Sequence, residues 1–179
     1  DKEGYAIAPG CFSQDYRANR TIEMYQREGT YEKINDIVKG TLFAGEPGPI
    51  LRWYKENYSE IYDQIGGILQ FKDYIMYRLT NVFATDLNCF GGAFMVDMNT
   101  MDYSRELMDL YGIPELYDAL PKLATEPTEI VGTVTKEASE ITGLAEGTPV
   151  AAGMMDILAC LVGAGATGEE VYTAVAGSW

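Results

Sequence analysis

Apolar side chains recur every three or four positions through much of the first eighty residues, which is the spacing of amphipathic helices. One such run covers residues 19–40, with a break at Gly29. A second covers residues 46–67, where Pro49 suits a first helical turn, and a third covers residues 68–80. The pattern therefore predicts that the first half of the chain is mainly helical.

Residues 81–97, NVFATDLNCFGGAFMVD, interrupt this helical pattern. They are rich in β-branched and aromatic side chains and contain a Gly-Gly break, which predicts a hairpin or an irregular pair of strands. After them, Asp102 can cap a helix over residues 103–111. Gly112 can end that helix, and Pro114 can open a short one.

Strands and helices alternate in the last fifty residues. Residues 129–153, EIVGTVTKEASEITGLAEGTPVAAG, predict a strand, a Thr-capped helix that ends at Gly143, and a second strand over residues 148–152. An apolar helix begins at Asp156, and residues 169–179, EEVYTAVAGSW, alternate like the start of another strand. This order indicates an α/β domain with a mainly helical insertion.

The composition is that of a folded globular protein. A chain of 179 residues is long enough for one well-buried domain and too short for two full-sized ones. Its 47% hydrophobic and 22% charged residues are ordinary for such a domain. No apolar window approaches the length of a membrane span, and the first residues do not resemble a signal peptide, so we expect a cytoplasmic protein.

Charge and residue types exclude several kinds of chemistry. The 27 acidic and 13 basic residues give a net charge of −14, which repels nucleic acid and anionic membranes. The absence of histidine excludes Ser-His and Cys-His nucleophile systems and imidazole zinc sites. The three cysteines, Cys11, Cys89 and Cys160, cannot all pair, and their spacing matches no metal-binding pattern. We therefore predict buried free thiols and no metal site.

Asp156 is the acidic residue that this pattern singles out. It lies between a strand that ends near Gly153 and an apolar helix, so its carboxylate is expected at the C-terminal edge of the sheet, where open α/β folds bind ligands. An ionised carboxylate at that edge can accept a proton from an alcohol. Asp is also a preferred N-cap residue, so a helix cap is the alternative, and the two roles are compatible.

Four segments resemble the FGGY family of carbohydrate kinases, in the family's order and spacing. Residues 143–165, GLAEGTPVAAGMMDILACLVGAG, resemble the tGL-x-x-GTPV-x-x-G-x-x-D element that ends the family's first domain. The family's kDY-x-x-yrLTG…tD-x-S-x-A segment resembles FKDYIMYRLTNVFATDLNCFGGAFMVD in this chain. Its W-x-x-e-x-P-e-x-y-x-x-i helix resembles RWYKENYSEIYDQIG, and its D-x-R-a turn resembles SQDYRAN. The closing AVAGSW resembles the phosphate-loop strand that opens the family's second domain. The Trp at its end, Trp179, is more similar to the sequences of the L-xylulose kinase branch than to those of glycerol kinases.

The resemblance implies a ribonuclease H-like (actin-like ATPase) fold, incomplete at both ends of this chain. Residues 1–168 would form most of the sugar-binding N-terminal domain, and residues 169–179 the truncated first strand of the ATP-binding domain. The implied activity is ATP-dependent phosphorylation of a sugar, sugar acid or polyol hydroxyl, with Asp156 as the general base. ATP and Mg²⁺ would be bound mainly by parts of the enzyme outside the chain, so the fragment alone is expected to be inactive. A homodimer is left open.

The resemblance also implies binding residues: Ser13, Asp15 and Arg17 for the sugar, and Gly177 and Ser178 for phosphate. The family usually has Trp where this chain has Ser13, and it often has a sugar-binding Gln or Asn where this chain has Ile157. Both departures fall on positions that contact the sugar in the family.

Structural roles are the alternative for several of these polar residues. Asp15 and Arg17 could form a local ion pair instead of binding sugar hydroxyls. Asp86 and Asn88 lie in a turn signal, where structural roles are expected. Asp73 is expected either as a buried hydrogen-bond anchor or on a solvated face.

Two other functions compete with a kinase. The first is a non-catalytic sugar-binding or interaction module derived from a kinase lobe. The second is a glycosidase, which needs two carboxylates roughly 5–10 Å apart across a cleft, and no paired acidic motif supports it.

Overall fold

The computed structural model describes residues 1–166, Gly168 and Ala174. Helices form its first half, and short strands alternate with helices in its second half. In chain order the elements are α1 (Asn19–Glu28), α2 (Tyr31–Val38), α3 (Pro47–Asn57), α4 (Ser59–Tyr62), α5 (Phe71–Thr80), β1 (Ala84–Asp86), α6 (Leu87–Gly92), α7 (Arg105–Tyr111), a 3₁₀ helix (Pro114–Ala119), β2 (Lys122–Ala124), β3 (Ile130–Thr133), α8 (Lys136–Thr142), β4 (Pro149–Ala151) and α9 (Asp156–Gly163). The predicted phosphate-binding residues Gly177 and Ser178 lie outside the described residues.

The predicted helical run over residues 19–40 is confirmed as α1 and α2. Gly29 separates them because its φ of +70° is left-handed, a conformation that ends α1 and that glycine adopts without steric cost. The run over residues 46–67, predicted as one helix, forms two. Tyr58 divides α3 from α4 because it leaves the helical region, with φ −144° and ψ 64°.

A large apolar cluster holds the helices together. Its buried members are Tyr25, Ile34, Val38, Leu42, Tyr62, Phe90, Met95, Val96, Leu107, Met108, Tyr111, Ile113 and Leu116. The buried tyrosine hydroxyls have partners, since Tyr25 donates to the carbonyl of Tyr111 at 2.8 Å and Tyr111 donates to the carbonyl of Phe94 at 2.7 Å. These two bonds tie α1 to α7, and α7 to the segment that follows α6.

The predicted hairpin over residues 81–97 is wrong. The chain forms the short strand β1 and enters helix α6 directly at Leu87. Asp86 causes this change, because its Oδ1 accepts the backbone N–H groups of Asn88 and Cys89 at 2.9 and 3.1 Å and so caps α6. The structural role expected for Asp86 is confirmed.

The helix predicted over residues 103–111 begins at Arg105. Ser104 caps it by accepting the N–H of Leu107, whereas the side chain of the predicted cap, Asp102, accepts the N–H of Tyr103, which precedes the helix. Gly112 ends the helix with a φ of +73°, as predicted, and the predicted short helix follows as a 3₁₀ turn.

Two two-stranded sheets lie among the described residues. β1 pairs in parallel with β2, with Ala84 opposite Lys122, and β3 pairs antiparallel to β4, with Thr133 opposite Pro149. The predicted strand–helix–strand order of residues 129–153 is confirmed. The buried side chains of α5 and of the sheets form a second apolar cluster: Met76, Ala84, Ala124, Val131 and Ala152.

The prediction of free thiols is confirmed for all three cysteines, and the prediction that they are buried is confirmed for one and wrong for two. Cys89 is buried and free, but Cys11 and Cys160 are exposed. Cys160 lies on α9, a helix that contains no buried residue. Within the described part of the chain, no helix is both long enough and apolar enough to cross a bilayer.

Candidate functional site

Asp156 is the first residue of α9, and its side chain is exposed. Gly153, with a φ of +72°, turns the chain between β4 and this helix. The Asp156 Oδ1 accepts the N–H of Ile157 at 2.7 Å. Met155 takes the N-cap position, so the alternative that Asp156 is the helix cap is wrong. The carboxylate instead lies within the first turn, where the helix dipole favours negative charge.

A cleft of about 370 Å³ adjoins the start of α9. Met155 and Leu158, on either side of Asp156 in the chain, line it together with Gly91 and Gly92 of α6. The absent side chain of Gly92 makes room, because a Cβ there would lie 2.7 Å from Cε of Met155. The remaining wall is mostly apolar and consists of Val38, Lys39, Leu87, Asn88, Met98 and Met101.

The predicted sugar-binding residues lie in the turn that precedes α1. The Arg17 Nε contacts the Asp15 Oδ2 at 2.7 Å, and this ion pair holds the pKa of the Asp15 carboxyl below its usual value. Arg17 also donates to the Tyr54 hydroxyl at 3.2 Å and stacks on Trp53, 4.9 Å from the ring centre. The ion pair expected as the alternative role is therefore present, and Ser13 is exposed beside it.

Arg17 lines a second cleft of about 400 Å³. Its other lining residues are Arg20, Thr21, Trp53, Glu56 and Asn57. This cleft shares no lining residue with the cleft at α9. Among residues 1–166, no hydrogen bond or ion pair joins Ser13, Asp15 or Arg17 to Asp156, so the described residues form two separate candidate regions.

A charge cluster with two buried carboxylates is centred on Lys72 of α5, whose side chain is 31% exposed. Its Nζ is 3.0 Å from the Asp73 Oδ1 and 2.9 Å from the Asp86 Oδ2, and it donates to the carbonyl of Ala152 at 2.8 Å. Asp73 has no exposed surface, and its Oδ2 accepts from the Thr85 hydroxyl at 2.8 Å. The expectation of a buried anchor at Asp73 is confirmed.

Burial and ion pairing oppose each other in this cluster. Burial acts to lower the pKa of Lys72, but Asp86 and Asp73 outweigh it, and the pKa lies above its usual value. Burial raises the pKa of Asp73. Burial also acts to raise the pKa of Asp86, but hydrogen bonds from Cys89 and Lys72 outweigh it, so this pKa is lowered. Lys72 and Asp86 therefore form the charged core of the cluster.

Glu46 is a third buried carboxyl, and it has no ionic partner among the described residues. It occupies the N-cap position of α3 with a side chain that makes no cap hydrogen bond. Its residue exposure is 8%, and burial raises the pKa of the carboxyl to about 7.

The described residues do not fit a metal ion. No group of three or more His, Cys, Asp and Glu side chains within them is arranged to hold one. Where two buried carboxylates do approach each other, at Asp73 and Asp86, Lys72 already supplies the positive charge.

Sequence reasoning missed Lys72, Glu46 and Gly92. The FKDY segment contains Lys72, but its partners Asp86 and Ala152 lie 14 and 80 residues away, so no local pattern shows the contact. Gly92 belongs to a Gly-Gly pair that indicates a turn, whereas its use is close packing against Met155.

The known proteins that this chain resembles belong to one family. A model of the FGGY family of carbohydrate kinases, N-terminal domain, matches residues 1–163. The L-xylulose/3-keto-L-gulonate kinase of Escherichia coli (strain K12) is 33% identical over 179 residues, which are 100% of this chain and 36% of that protein. The L-fuculokinase of the same strain is also 33% identical over 179 residues, 100% of this chain and 37% of its own length. The chain thus spans little more than a third of these relatives.

Solved structures show the same fold. The xylulose kinase from Rhodospirillum rubrum matches with a TM-score of 0.84 and 26% identity, over 94% of this chain and 34% of that one. The glycerol kinase from Plasmodium falciparum, at 16% identity, matches with a TM-score of 0.79 over 90% of this chain and 32% of its own. The predicted ribonuclease H-like (actin-like ATPase) fold is confirmed.

Proposed function

The chain belongs to the FGGY family of carbohydrate kinases, and we propose that the protein carrying it transfers the γ-phosphoryl group of ATP to a hydroxyl of a sugar, sugar acid or polyol. The observation that carries the proposal is the placement of Asp156: an exposed carboxylate in the first turn of α9, separated from the end of β4 by a short connection that turns at Gly153. Open α/β folds present catalytic groups beyond the carboxyl ends of their strands, and Asp156 follows the carboxyl end of β4, although β4 pairs antiparallel with β3.

Asp156 acts as the general base. As the substrate oxygen forms its bond to the γ-phosphorus, the hydroxyl proton moves to a carboxylate oxygen, and the bond from that phosphorus to the bridging oxygen of ADP breaks. Phosphoryl transfer asks a protein mainly for positioning and charge neutralisation, so one placed carboxylate is enough acid–base apparatus. The chain contains no histidine to share the task.

ATP supplies the phosphoryl group, and family membership implies Mg²⁺ as its counter-ion. We place both mainly on parts of the protein outside the described residues, which do not fit a metal ion. Gly177 and Ser178 are proposed phosphate contacts.

The sugar-binding role proposed for Asp15 and Arg17 is consistent with their geometry. Asp15 and Tyr54 orient the Arg17 guanidinium, so its fork is fixed before a ligand arrives. Ser13 adds an exposed hydroxyl close by. Because the relatives are named for L-xylulose, 3-keto-L-gulonate and L-fuculose, we propose ketoses and sugar acids as the first substrates to test.

The test is ADP release by the protein in its longest natural form, measured with ATP·Mg²⁺ and a panel of ketoses, sugar acids and polyols. Sugar-dependent ADP release with a phosphorylated product, identified by mass spectrometry, supports the proposal. Sugar binding without any ADP release across the panel would instead identify a non-catalytic sugar-binding module.

A further inference from the structure

Lys72 connects three parts of the fold that are distant in sequence. Its ammonium contacts Asp73 in its own helix, Asp86 at the end of β1, and the carbonyl of Ala152 just after β4. The Asp73 Oδ1 and the Asp86 Oδ2 are both buried, and within the described residues it is the ammonium of Lys72, 3.0 and 2.9 Å away, that compensates their charge.

Two of these contacts, with Ala152 and with Asp86, involve the parts of the fold that hold the segment containing Asp156. Ala152 begins the connection from β4 to α9, and its carbonyl oxygen is the acceptor that Lys72 holds at 2.8 Å. The backbone amides at the start of this connection are also bonded: the N–H of Ala152 donates to the carbonyl of Glu129, and the N–H of Gly153 donates to the carbonyl of Pro127, each at 2.9 Å. The entry to the connection is therefore fixed on both sides.

The exit of the connection is also linked to Lys72, through α6. Asp86, the second partner of Lys72, caps α6. The far end of α6 carries Gly92, against which Met155 packs, and Met155 immediately precedes Asp156. The ammonium of Lys72 is thus linked to the β4–α9 connection at two points: directly at Ala152, before the turn at Gly153, and through Asp86 and α6 at Met155, after it.

We infer that Lys72 is a positioning residue for Asp156, which fixes the β4–α9 connection so that the carboxylate keeps one place relative to α6. This inference rests on the proposed function for its catalytic meaning. A purely structural ion pair would be replaceable by apolar side chains, because buried ion pairs contribute little net stability. The bond from Lys72 to the Ala152 carbonyl would not be replaced by such side chains.

Hydrogen exchange tests the inference without any need for activity. In Lys72→Met, we expect amide exchange over residues 150–160 to accelerate at least tenfold, while α1 and α7 keep their protection. Lys55→Met is the matched control, because Lys55 likewise contacts a carboxylate, Glu115, and a carbonyl, Gly112, but in the helical part of the fold. Unchanged exchange over residues 150–160 in Lys72→Met would overturn the inference.

A pair of multiple variants separates positioning from charge burial. The double variant Asp73→Asn with Asp86→Asn keeps the Lys72–Ala152 bond, and Asn retains the capping ability of Asp86. The triple variant, with Lys72→Met added, removes that bond without leaving buried carboxylates unpaired, so it should fold even if the single variant does not. We expect fast exchange over residues 150–160 in the triple variant and near-normal exchange in the double.

Kinetics in the longest natural protein add the catalytic readout. We expect the triple variant to lose ten- to a hundredfold in kcat relative to the double, at a similar KM for the sugar. Turnover that simply follows melting temperature across the set would show a structural role alone and overturn the inference. If the wild-type protein releases no ADP with any sugar, the proposed function fails, and the exchange data still decide whether Lys72 fixes the connection.

Discussion

The buried carboxyls of this chain are stabilised in two different ways. Asp73 and Asp86 face the ammonium of Lys72, and Asp86 also caps a helix. Glu46 is nearly as buried, at 8% exposure, yet no ion pair or hydrogen bond within the described residues involves its carboxyl. Ionising Glu46 in the folded protein is therefore costly, and burial raises its pKa to about 7.

Glu46→Gln should stabilise the protein in a pH-dependent way. Between its ordinary pKa of 4.5 and about 7, the folded state keeps a proton that the unfolded state has lost, so wild-type stability falls as pH rises through this window. A shift of this size corresponds to roughly 3 kcal/mol, which the variant should recover at pH 8 and not near pH 4.5. Urea unfolding at both pH values measures the difference.

The control for this prediction is Glu60→Gln, at an exposed position of α4, which should change stability little at either pH. Equal stability of wild type and Glu46→Gln at pH 8 would show that the Glu46 carboxyl finds a partner in solution.

At the scale of single residues, the sequence predicts a role correctly where that role depends on bonds to neighbours in the chain. The turn pattern was enough to expect a structural Asp86, because its bonds to Asn88 and Cys89 are local. Lys72 and Glu46 could not be identified in this way, since the roles of both depend on burial by segments distant in the chain.

At the scale of elements, periodicity predicted the helices better than their ends. The pattern over residues 46–67 is continuous through Tyr58, and nothing in it shows that the backbone breaks there to begin α4. In residues 81–97, β-branched and aromatic side chains favoured strands, but the Asp86 cap and tertiary packing of Phe90 selected a helix. Propensity was overridden by packing in that segment.

Gly48→Ala should destabilise α3 although alanine is the better helix former. A Cβ at Gly48 would lie 2.6 Å from the ring of Tyr111, which has no exposed surface and whose hydroxyl is bonded to the Phe94 carbonyl. Overpacking of this kind costs about 1–3 kcal/mol, which exceeds the gain of up to ~1 kcal/mol from helix propensity. Urea unfolding should show a net loss of about 1–2 kcal/mol.

Gly163→Ala is the matched control for Gly48→Ala. Gly163 is helical, and a Cβ there meets no atom of the described residues within 4 Å, so this variant should be neutral or more stable by up to ~1 kcal/mol. A Gly48→Ala protein as stable as the control would mean that Tyr111 can shift, contrary to the packing described above.

At the scale of the whole molecule, the described chain leaves apolar surface uncovered. Helix α9 is apolar but has no buried residue, and Ile157 and Val162 are 47% and 54% exposed. Apolar surface of this kind commonly marks a contact with another domain. We propose that further parts of the protein cover α9 and bring nucleotide to Asp156, which is consistent with the length of the relatives.

The isolated 179-residue chain should therefore bind nucleotide poorly. In isothermal titration calorimetry we expect no measurable binding of ATP·Mg²⁺ to this chain and clear binding to the protein in its longest natural form. Equal affinity of the two for ATP·Mg²⁺ would refute the proposed placement of the nucleotide site.

The most direct test of the account is the turnover of Asp156→Asn in the longest natural protein, with Asp118→Asn, an exposed carboxylate whose side chain is 88% exposed, as the control. Loss of a general base should reduce kcat by about 10²–10⁴-fold, while KM for the sugar and the melting temperature stay close to wild type. The Asp118→Asn protein should keep full turnover. An Asp156→Asn protein that retains more than about a tenth of the wild-type kcat would contradict the central claim.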